Sequence, residues 1–189
     1  MKDSYRNPFS GINAVSLDDQ TILDYWCSPF AYRLFSEIKE ADIYEDPNNI
    51  VLMGGRSTGK TMFLRYWSFP VQLKLVNENK AKTVIDYFKE KKGIGFYIRI
   101  DGPILRSFNG SGIPQEKWNS IFTHYFELIV GRNYIEAIKK LYDLGHLKKD
   151  EIEDQFIPEV KQIINELQTR SLDELLNEFD NRIKELDSF

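Results

Sequence analysis

The segment Ile50–Thr61 reads IVLMGGRSTGKT and carries the strongest signal in the chain. Its first four residues, Ile50–Met53, are apolar on both faces of an extended backbone, which is typical of a buried strand in a parallel sheet. Its last eight residues, Gly54–Thr61, match the pattern G-x-x-x-x-G-K-[S/T] at every fixed position. A helix is expected to follow, with Thr61 to Trp67 as its start and its end near Phe69-Pro70. A strand, a glycine-rich loop and a helix in this order predict a phosphate-binding loop.

Each residue type in this loop has a physical task. The glycines permit positive φ angles and close approach to the backbone, and successive amide groups form a concave site for phosphate oxygens. Lys60 would reach the β- and γ-phosphates of ATP, and the Thr61 hydroxyl would coordinate Mg²⁺. For Arg56 two roles stay open, contact with phosphate or an ion pair with a surface carboxylate. We therefore predict that ATP and Mg²⁺ bind to the eight residues Gly54, Gly55, Arg56, Ser57, Thr58, Gly59, Lys60 and Thr61.

The predicted fold class is α/β, with a P-loop NTPase core, an incomplete parallel sheet and a helical carboxy-terminal segment. A second strand is expected at Ile94–Ile100, and none after it, whereas a sheet usually has about five strands. Two accounts fit this shortage: the amino-terminal part of a larger ATPase, or a small domain that binds nucleotide without turning it over. The predicted divisions are an arm with helices at 1–48, the α/β core at 49–111 and a helical region at 112–189.

Several residues in the predicted helical region, 112–189, are typical of the first or last positions of helices. Pro114 is well placed to begin a helix, and Gly145 is expected to end an apolar stripe that precedes it. The sequence Ser171-Leu172-Asp173-Glu174 has the pattern of a capping box. The apolar stripes of these helices indicate ordinary core packing, with a partner-facing seam as the alternative for the last two.

Asp101 is the acidic residue that ends the second predicted strand. An ATPase needs such an acid on a neighbouring strand to hold Mg²⁺ through water, and usually a carboxylate that orients the attacking water. Asp101 could supply the first function, or it could simply begin the turn Asp101-Gly102-Pro103. Since no Asp-Glu pair follows an apolar strand in the sequence, we expect this chain alone to be inactive in hydrolysis.

Composition narrows the class of protein. The 189 residues include 25 Lys and Arg against 29 Asp and Glu, for a net charge of −4, which is not that of a general nucleic-acid coat. A local nucleic-acid contact stays open at Lys89-Glu90-Lys91-Lys92, a run that is more typical of a solvated face. No apolar run is long enough for a membrane span, and no signal peptide is recognised. The single cysteine, Cys27, favours a reducing compartment, and we predict a cytoplasmic protein.

The segment Gly54–Ser68 resembles the loop and helix "G-x-R-G-S-G-K-T-x-L-L-R-x-L-S" of the AAA-type ATPases related to origin-recognition initiators, and of their bacterial relatives. Further parts of the chain are similar to the bacterial proteins: Gly95–Asp101, Ser107–Gly110, Trp118 and Phe122–Phe126. The resemblance covers about Asn7 to Arg132. It implies an AAA-like, ATP-driven module that works as an oligomer or with a protein partner, and many such bacterial relatives resemble components of anti-phage defence systems.

The chain departs from that family pattern in two respects. Ser57 and Thr58 stand where the family often has glycine and then serine. The acidic strand and catalytic glutamate of the family would lie beyond Phe189, and its arginine finger has no counterpart that can be assigned here. The residues carried over from the resemblance are therefore limited to Gly54–Thr61.

Two other functions compete with an ATPase module. A nucleotide-binding interaction module without hydrolysis would bind ATP through Lys60 and release no phosphate. A small P-loop kinase would transfer the γ-phosphate to a metabolite, and would need arginines on a mobile lid over the phosphates. The arginines after Asp101 are instead scattered among predicted helices, at Arg106, Arg132, Arg170 and Arg182.

Overall fold

A computed structural model describes residues 14–28, 51–55, 58–79, 83–100, 102–110, 112–164 and 169–187. The chain divides into two compact units, Met1–Tyr97 and Ile98–Phe189. In the described part of the first unit the helices are α1 (Asp19–Asp24), α2 (Lys60–Tyr66), α3 (Phe69–Asn79) and α4 (Val84–Lys91). In the second they are α5 (Gly102–Ser107), α6 (Gln115–Asp143), a π-helical segment (Glu151–Phe156), α7 (Ile157–Ile163) and α8 (Leu172–Asp187).

Side chains cap two of the short helices of the first unit. The Asp18 carboxylate accepts hydrogen bonds from the Thr21 amide at 2.9 Å and the Thr21 hydroxyl at 2.8 Å, so α1 begins after Asp18. At α4 the Thr83 hydroxyl accepts from the Asp86 amide at 3.1 Å. Helices α1, α2 and α4 each contact α3 or one another. The apolar residues that they bury are Ile22, Trp67, Phe69, Val71, Leu73, Val76 and Val84.

A buried amide connects three helices of the first unit. The Gln72 side chain, on α3, donates to the carbonyl oxygen of Tyr66, the last residue of α2, at 2.7 Å. The Tyr87 hydroxyl, on α4, donates to the other end of the same amide at 2.5 Å. Because Gln72 is only 2% exposed, both bonds replace water that this side chain has lost on folding.

The predicted α/β class is wrong for the residues that the structure describes, which include helices and no strand. Val51–Gly55 have no regular secondary structure, and the Val51 and Met53 side chains are 79% and 85% exposed. The expected second strand, Ile94–Ile100, makes a single parallel bridge, from Gly95 to Ser68. A short apolar run resembles a strand, but a strand needs a neighbour that pairs with its backbone. Here the Gly95 backbone is paired with the end of α2 and the start of α3 instead.

Gly95 allows this pairing through close backbone contact. The Phe69 amide donates to the Gly95 carbonyl oxygen at 2.7 Å. A Cβ atom on Gly95 would lie 2.3 Å from the Trp67 carbonyl oxygen, a distance that no side chain tolerates. The absence of a side chain at this position thus fixes where the 94–100 segment meets the helices.

The second unit is built on the long helix α6, which packs along α8. Gly131 of α6 lies directly against the Phe179 ring of α8, and the Arg132 guanidinium is 2.6 Å from the Asp180 carboxylate. One buried cluster joins these helices to α7 and the π-helical segment, and a second one joins α5 to α6. Their buried members are Leu128, Ile135, Ile152, Ile157, Leu172, Leu175 and Phe179 in the first, and Phe108, Trp118 and Tyr125 in the second. In the described residues no helix has both the length and the apolar character to cross a bilayer.

Candidate phosphate-binding site

The structure describes six of the eight residues predicted to bind ATP and Mg²⁺. Gly54, Gly55, Thr58 and Gly59 are exposed, and Lys60 and Thr61 are half-buried. Arg56 and Ser57 lie outside the described residues, and so does Asp101. The loop is therefore open to solvent at its glycines and leads into α2 at Lys60.

Gly59 makes the turn from the loop into the helix. Its φ of +83° and ψ of 3° lie in the left-handed region, which favours glycine over any residue with a side chain. Its carbonyl oxygen accepts the first helical hydrogen bond, from the Phe63 amide at 2.9 Å. The fixed glycine of the motif is thus required by the backbone conformation at this position.

The Lys60 side chain folds back onto the loop that precedes it. Its ammonium nitrogen is 2.7 Å from the Gly54 carbonyl oxygen and 2.6 Å from that of Gly55. The Thr58 hydroxyl oxygen is 3.1 Å from the same nitrogen, and this hydroxyl donates to the Gly55 carbonyl oxygen at 2.9 Å. An ammonium group has three N–H bonds, and the loop supplies three acceptors. The loop therefore curls around its own positive charge.

The space around the ammonium would not admit a side chain at Gly54. A Cβ atom there would come within 2.9 Å of the Thr58 hydroxyl oxygen and 3.7 Å of the Lys60 nitrogen. The residues present fit a phosphate group in this respect, because Gly54 places no side chain beside the ammonium. Thr61 is the second residue of α2, adjacent to Lys60, where the motif requires a hydroxyl for Mg²⁺.

The far end of α2 is anchored by Arg65, a contact that the motif did not predict. Its guanidinium donates to the carbonyl oxygens of Ala14 at 2.8 Å and Leu17 at 2.5 Å, with that of Val15 at 3.4 Å. It also forms an ion pair with the Asp19 carboxylate at 3.0 Å, and only 12% of the Arg65 side chain is exposed. Every residue has a backbone carbonyl group, so no sequence pattern identifies the carbonyl partners of an arginine. This contact therefore could not be predicted from the sequence.

Aromatic rings complete the support of α2. The Trp26 ring stacks on the Tyr66 ring, with 3.7 Å between centroids and 3° between planes. Phe63 and Trp67 lie 6.1 Å and 6.5 Å from the Trp26 ring, and the Lys91 ammonium lies 5.4 Å from the Trp67 ring centre. Trp26, two residues beyond the end of α1, thus packs against one face of the helix that carries Lys60 and Thr61.

A separate groove in the second unit contains none of the residues predicted to bind nucleotide. It has a volume of about 790 Å³ and lies between α6, α7 and α8. Its lining is mainly apolar, and His124, Glu127, Glu159 and Arg182 contribute polar groups.

Comparison with known protein families gives a match over most of the chain. A family model described as ORC-CDC6-like matches residues 7–189, which is nearly the whole chain and extends beyond the part whose motifs show the resemblance. No curated protein and no solved structure matches the chain.

Proposed function

We propose that this chain, which belongs to the ORC-CDC6-like family, binds ATP with Mg²⁺ at Gly54–Thr61 and serves as the ATPase module of a larger assembly. Membership of this family relates the chain to AAA-type ATPases of the origin-recognition kind. The observation that carries the proposal is the position of the Lys60 ammonium, held 2.6–2.7 Å from the Gly54 and Gly55 carbonyl oxygens inside an exposed glycine loop.

Phosphate oxygens would replace these carbonyl oxygens around Lys60. The ammonium already makes charge-assisted hydrogen bonds to the carbonyl oxygens, but a phosphate oxygen also carries a negative charge that attracts the ammonium, so the ammonium gains by the exchange. The cost is small because Gly54 and Gly55 are exposed, and water can hydrogen-bond to the carbonyl oxygens that Lys60 leaves. Thr61 would place its hydroxyl on Mg²⁺, which in turn offsets the charge of the β- and γ-phosphates.

Hydrolysis of the bound ATP requires more groups than binding does. It needs an acid that holds Mg²⁺ through water and a group that orients the attacking water; Asp101 is our candidate for the first of these. We propose that turnover takes place in the assembled protein, in the cytoplasm, with other copies or a protein partner completing the site. A role in anti-phage defence is supported only by the resemblance of the loop and its flanking segments to bacterial relatives.

Titration of the full chain with a fluorescent ATP analogue, with and without Mg²⁺, tests binding. We expect Lys60→Ala to weaken binding by about 10- to 100-fold, because a hydrogen bond to a charged group contributes about 1.5–3 kcal/mol. Thr61→Ala should remove the gain in affinity from Mg²⁺ and leave Mg²⁺-free binding intact. The control is Lys149→Ala, which removes an exposed lysine paired with Glu153 at 3.5 Å, and it should bind as the wild type does.

Equal affinity of the wild type and Lys60→Ala, in protein shown to be folded by circular dichroism, would refute the site. Measurement of phosphate release on the same samples separates the competing functions. A non-hydrolysing module binds ATP and releases no phosphate in any native assembly, and a kinase forms ADP only when a small-molecule acceptor is supplied.

A further inference from the structure

We propose that Arg65 couples the segment Ala14–Asp19 to the phosphate loop, so that nucleotide at the loop stabilises this segment and the segment strengthens nucleotide binding. From here on, "the arm" means Ala14–Asp19 alone, which is a small part of the region predicted at 1–48. This inference rests on the proposed function for its nucleotide part. Its structural part, the link between the arm and α2, can be tested without nucleotide.

The link consists of four contacts from one guanidinium. Arg65 reaches the carbonyl oxygens of Ala14, Val15 and Leu17 and the carboxylate of Asp19, at 2.5–3.4 Å. These partners are 46–51 residues away in sequence, so they hold distant parts of the chain together. Since the Arg65 side chain is 12% exposed and its partners are half-buried, loss of the guanidinium would leave several acceptors that water only partly satisfies, which is costly.

Helix α2 is the element through which the coupling acts. It has seven residues, and a helix of this length is not stable on its own. Its order depends on what holds its two ends: Lys60 and the loop at the first residue, Arg65 and the arm near the last. A ligand that fixes the loop end therefore reduces the freedom that the arm end must lose, and the reverse is equally true because coupling between two sites is reciprocal.

The arm also determines where α1 begins. The carbonyl groups held by Arg65 directly precede Asp18, whose side chain caps α1, and Trp26, just after α1, stacks on Tyr66 of α2. The amide of Ile22 in α1 donates to the Asp18 carbonyl oxygen at 3.1 Å, and that of Phe63 in α2 to the Gly59 carbonyl oxygen at 2.9 Å. The exchange rates of these two amides report on the arm and on the loop separately.

The test is hydrogen exchange of the full chain with and without Mg·ATP, on the wild type, Arg65→Lys and Arg182→Lys. Lysine keeps the charge but cannot reproduce the planar fork of the guanidinium, and Arg182, paired with Glu178 at 2.8 Å in the second unit, is the control. In the wild type, Mg·ATP should slow exchange in residues 14–25 as well as at the loop. In Arg65→Lys the slowing at 14–25 should disappear, and ATP affinity should fall about fivefold or more. Arg182→Lys should behave as the wild type.

The proposal is overturned if Mg·ATP still slows hydrogen exchange at residues 14–25 in Arg65→Lys and the variant binds ATP within twofold of the wild-type affinity. If the wild type binds no ATP, the proposed function has failed. Hydrogen exchange measured without nucleotide then tests whether Arg65 links the arm to the loop. Arg65→Lys must then accelerate exchange at both Ile22 and Phe63; acceleration at Ile22 alone overturns it. If Arg65→Lys does not fold, Asp19→Asn, which weakens one of the four contacts, is judged by the same criteria with smaller shifts.

Discussion

Replacement of Gly95 by alanine is expected to destabilise the first unit strongly for a change of one methyl group. The new Cβ atom would lie 2.3 Å from the Trp67 carbonyl oxygen, 3.3 Å from the carbonyl carbon and 3.9 Å from the Ser68 Cα atom. All three are backbone atoms at the junction of α2 and α3, so no side chain can rotate away. The 94–100 segment must therefore move by about 1 Å to restore ordinary contact distances.

The magnitude follows from three contributions. Overpacking of this kind costs about 1–3 kcal/mol, and loss of the 2.7 Å hydrogen bond from the Phe69 amide to the Gly95 carbonyl oxygen adds about 1 kcal/mol. Alanine restricts the unfolded chain, which returns about 0.4–1 kcal/mol where the native backbone tolerates it. The net loss is about 1–3.6 kcal/mol in the free energy of unfolding, or at least about 4 °C in the midpoint of thermal unfolding of a unit of this size.

Urea and thermal unfolding followed by tryptophan fluorescence measure this loss. A Trp118→Phe background leaves Trp26 and Trp67 as reporters of the first unit. Gly55→Ala is the matched control within the first unit, because its Cβ atom would meet only the Thr58 methyl carbon, at the ordinary contact distance of 3.9 Å. Equal stability of Gly95→Ala and the background protein would refute the claim that close backbone contact at Gly95 determines the path of the 94–100 segment.

Two further predictions concern the second unit. In Gly131→Ala the new Cβ atom would lie 2.6 Å from a ring carbon of Phe179, which is 4% exposed. We expect this variant to be less stable than the wild type, and Phe179→Leu to relieve the clash with a coupling energy of about 1 kcal/mol or more in a double-mutant cycle of urea unfolding. Additive effects of the two substitutions would contradict this prediction. Burial, followed by the charge of Asp187 and a hydrogen bond to it, raises the pKa of Tyr125 above its usual value of 10. The folded protein then keeps the phenol proton where the unfolded chain has lost it, so stability should fall as the pH rises through the window above about 10. Urea midpoints at pH 9 and pH 11 should show a smaller fall in Tyr125→Phe than in the wild type, and an equal fall would show that Tyr125 is not responsible.

Local signals in the sequence predicted local structure well. The first half of the capping box predicted at Ser171-Leu172-Asp173-Glu174 is confirmed, because the Glu174 amide donates to the Ser171 hydroxyl at 3.2 Å. In the second half, the Glu174 carboxylate accepts from the Arg170 amide at 2.6 Å, one residue before the Ser171 amide that the pattern requires. Pro114 is the residue before the first residue of α6, and Gly145 follows that helix with a φ of +76°. Each of these features depends on residues within four positions of one another, so a single sequence contains all the information needed.

For the part of the chain that the structure describes, the predicted sheet is wrong because strand pairing is not a local property. Val51–Met53 and Ile94–Ile100 have the composition of strands, but nothing in either segment identifies its partner. In the structure the Gly95 backbone meets Ser68 and Phe69, residues that the sequence places on the helical side of the loop. The apolar character of a segment shows that it favours burial, and it does not show which backbone will satisfy its amide and carbonyl groups.

In the candidate site, too, local features could be predicted from the sequence and long-range contacts could not. Gly59 and Lys60 could be predicted because the motif places them in sequence, and the positive φ at Gly59 agrees with the need for glycine there. The contacts of Arg65 with the arm could not be predicted, since its partners are mostly backbone carbonyls, which every residue possesses. Long-range contacts between a specific side chain and an unspecific backbone leave no pattern in one sequence.

The two cations of α2 illustrate how burial separates a binding charge from a structural one. Lys60 and Arg65 are both held by backbone carbonyl oxygens, which carry no net charge. At Lys60 the acceptors belong to exposed glycines, so an anion can reach the ammonium and water can take its place. At Arg65 the side chain is 12% exposed and Asp19 already supplies a negative charge at 3.0 Å, so a phosphate would have to displace a carboxylate in a site that solvent scarcely enters. The same helix thus presents one exchangeable cation and one fixed cation, and only the first suits a nucleotide that must bind and leave.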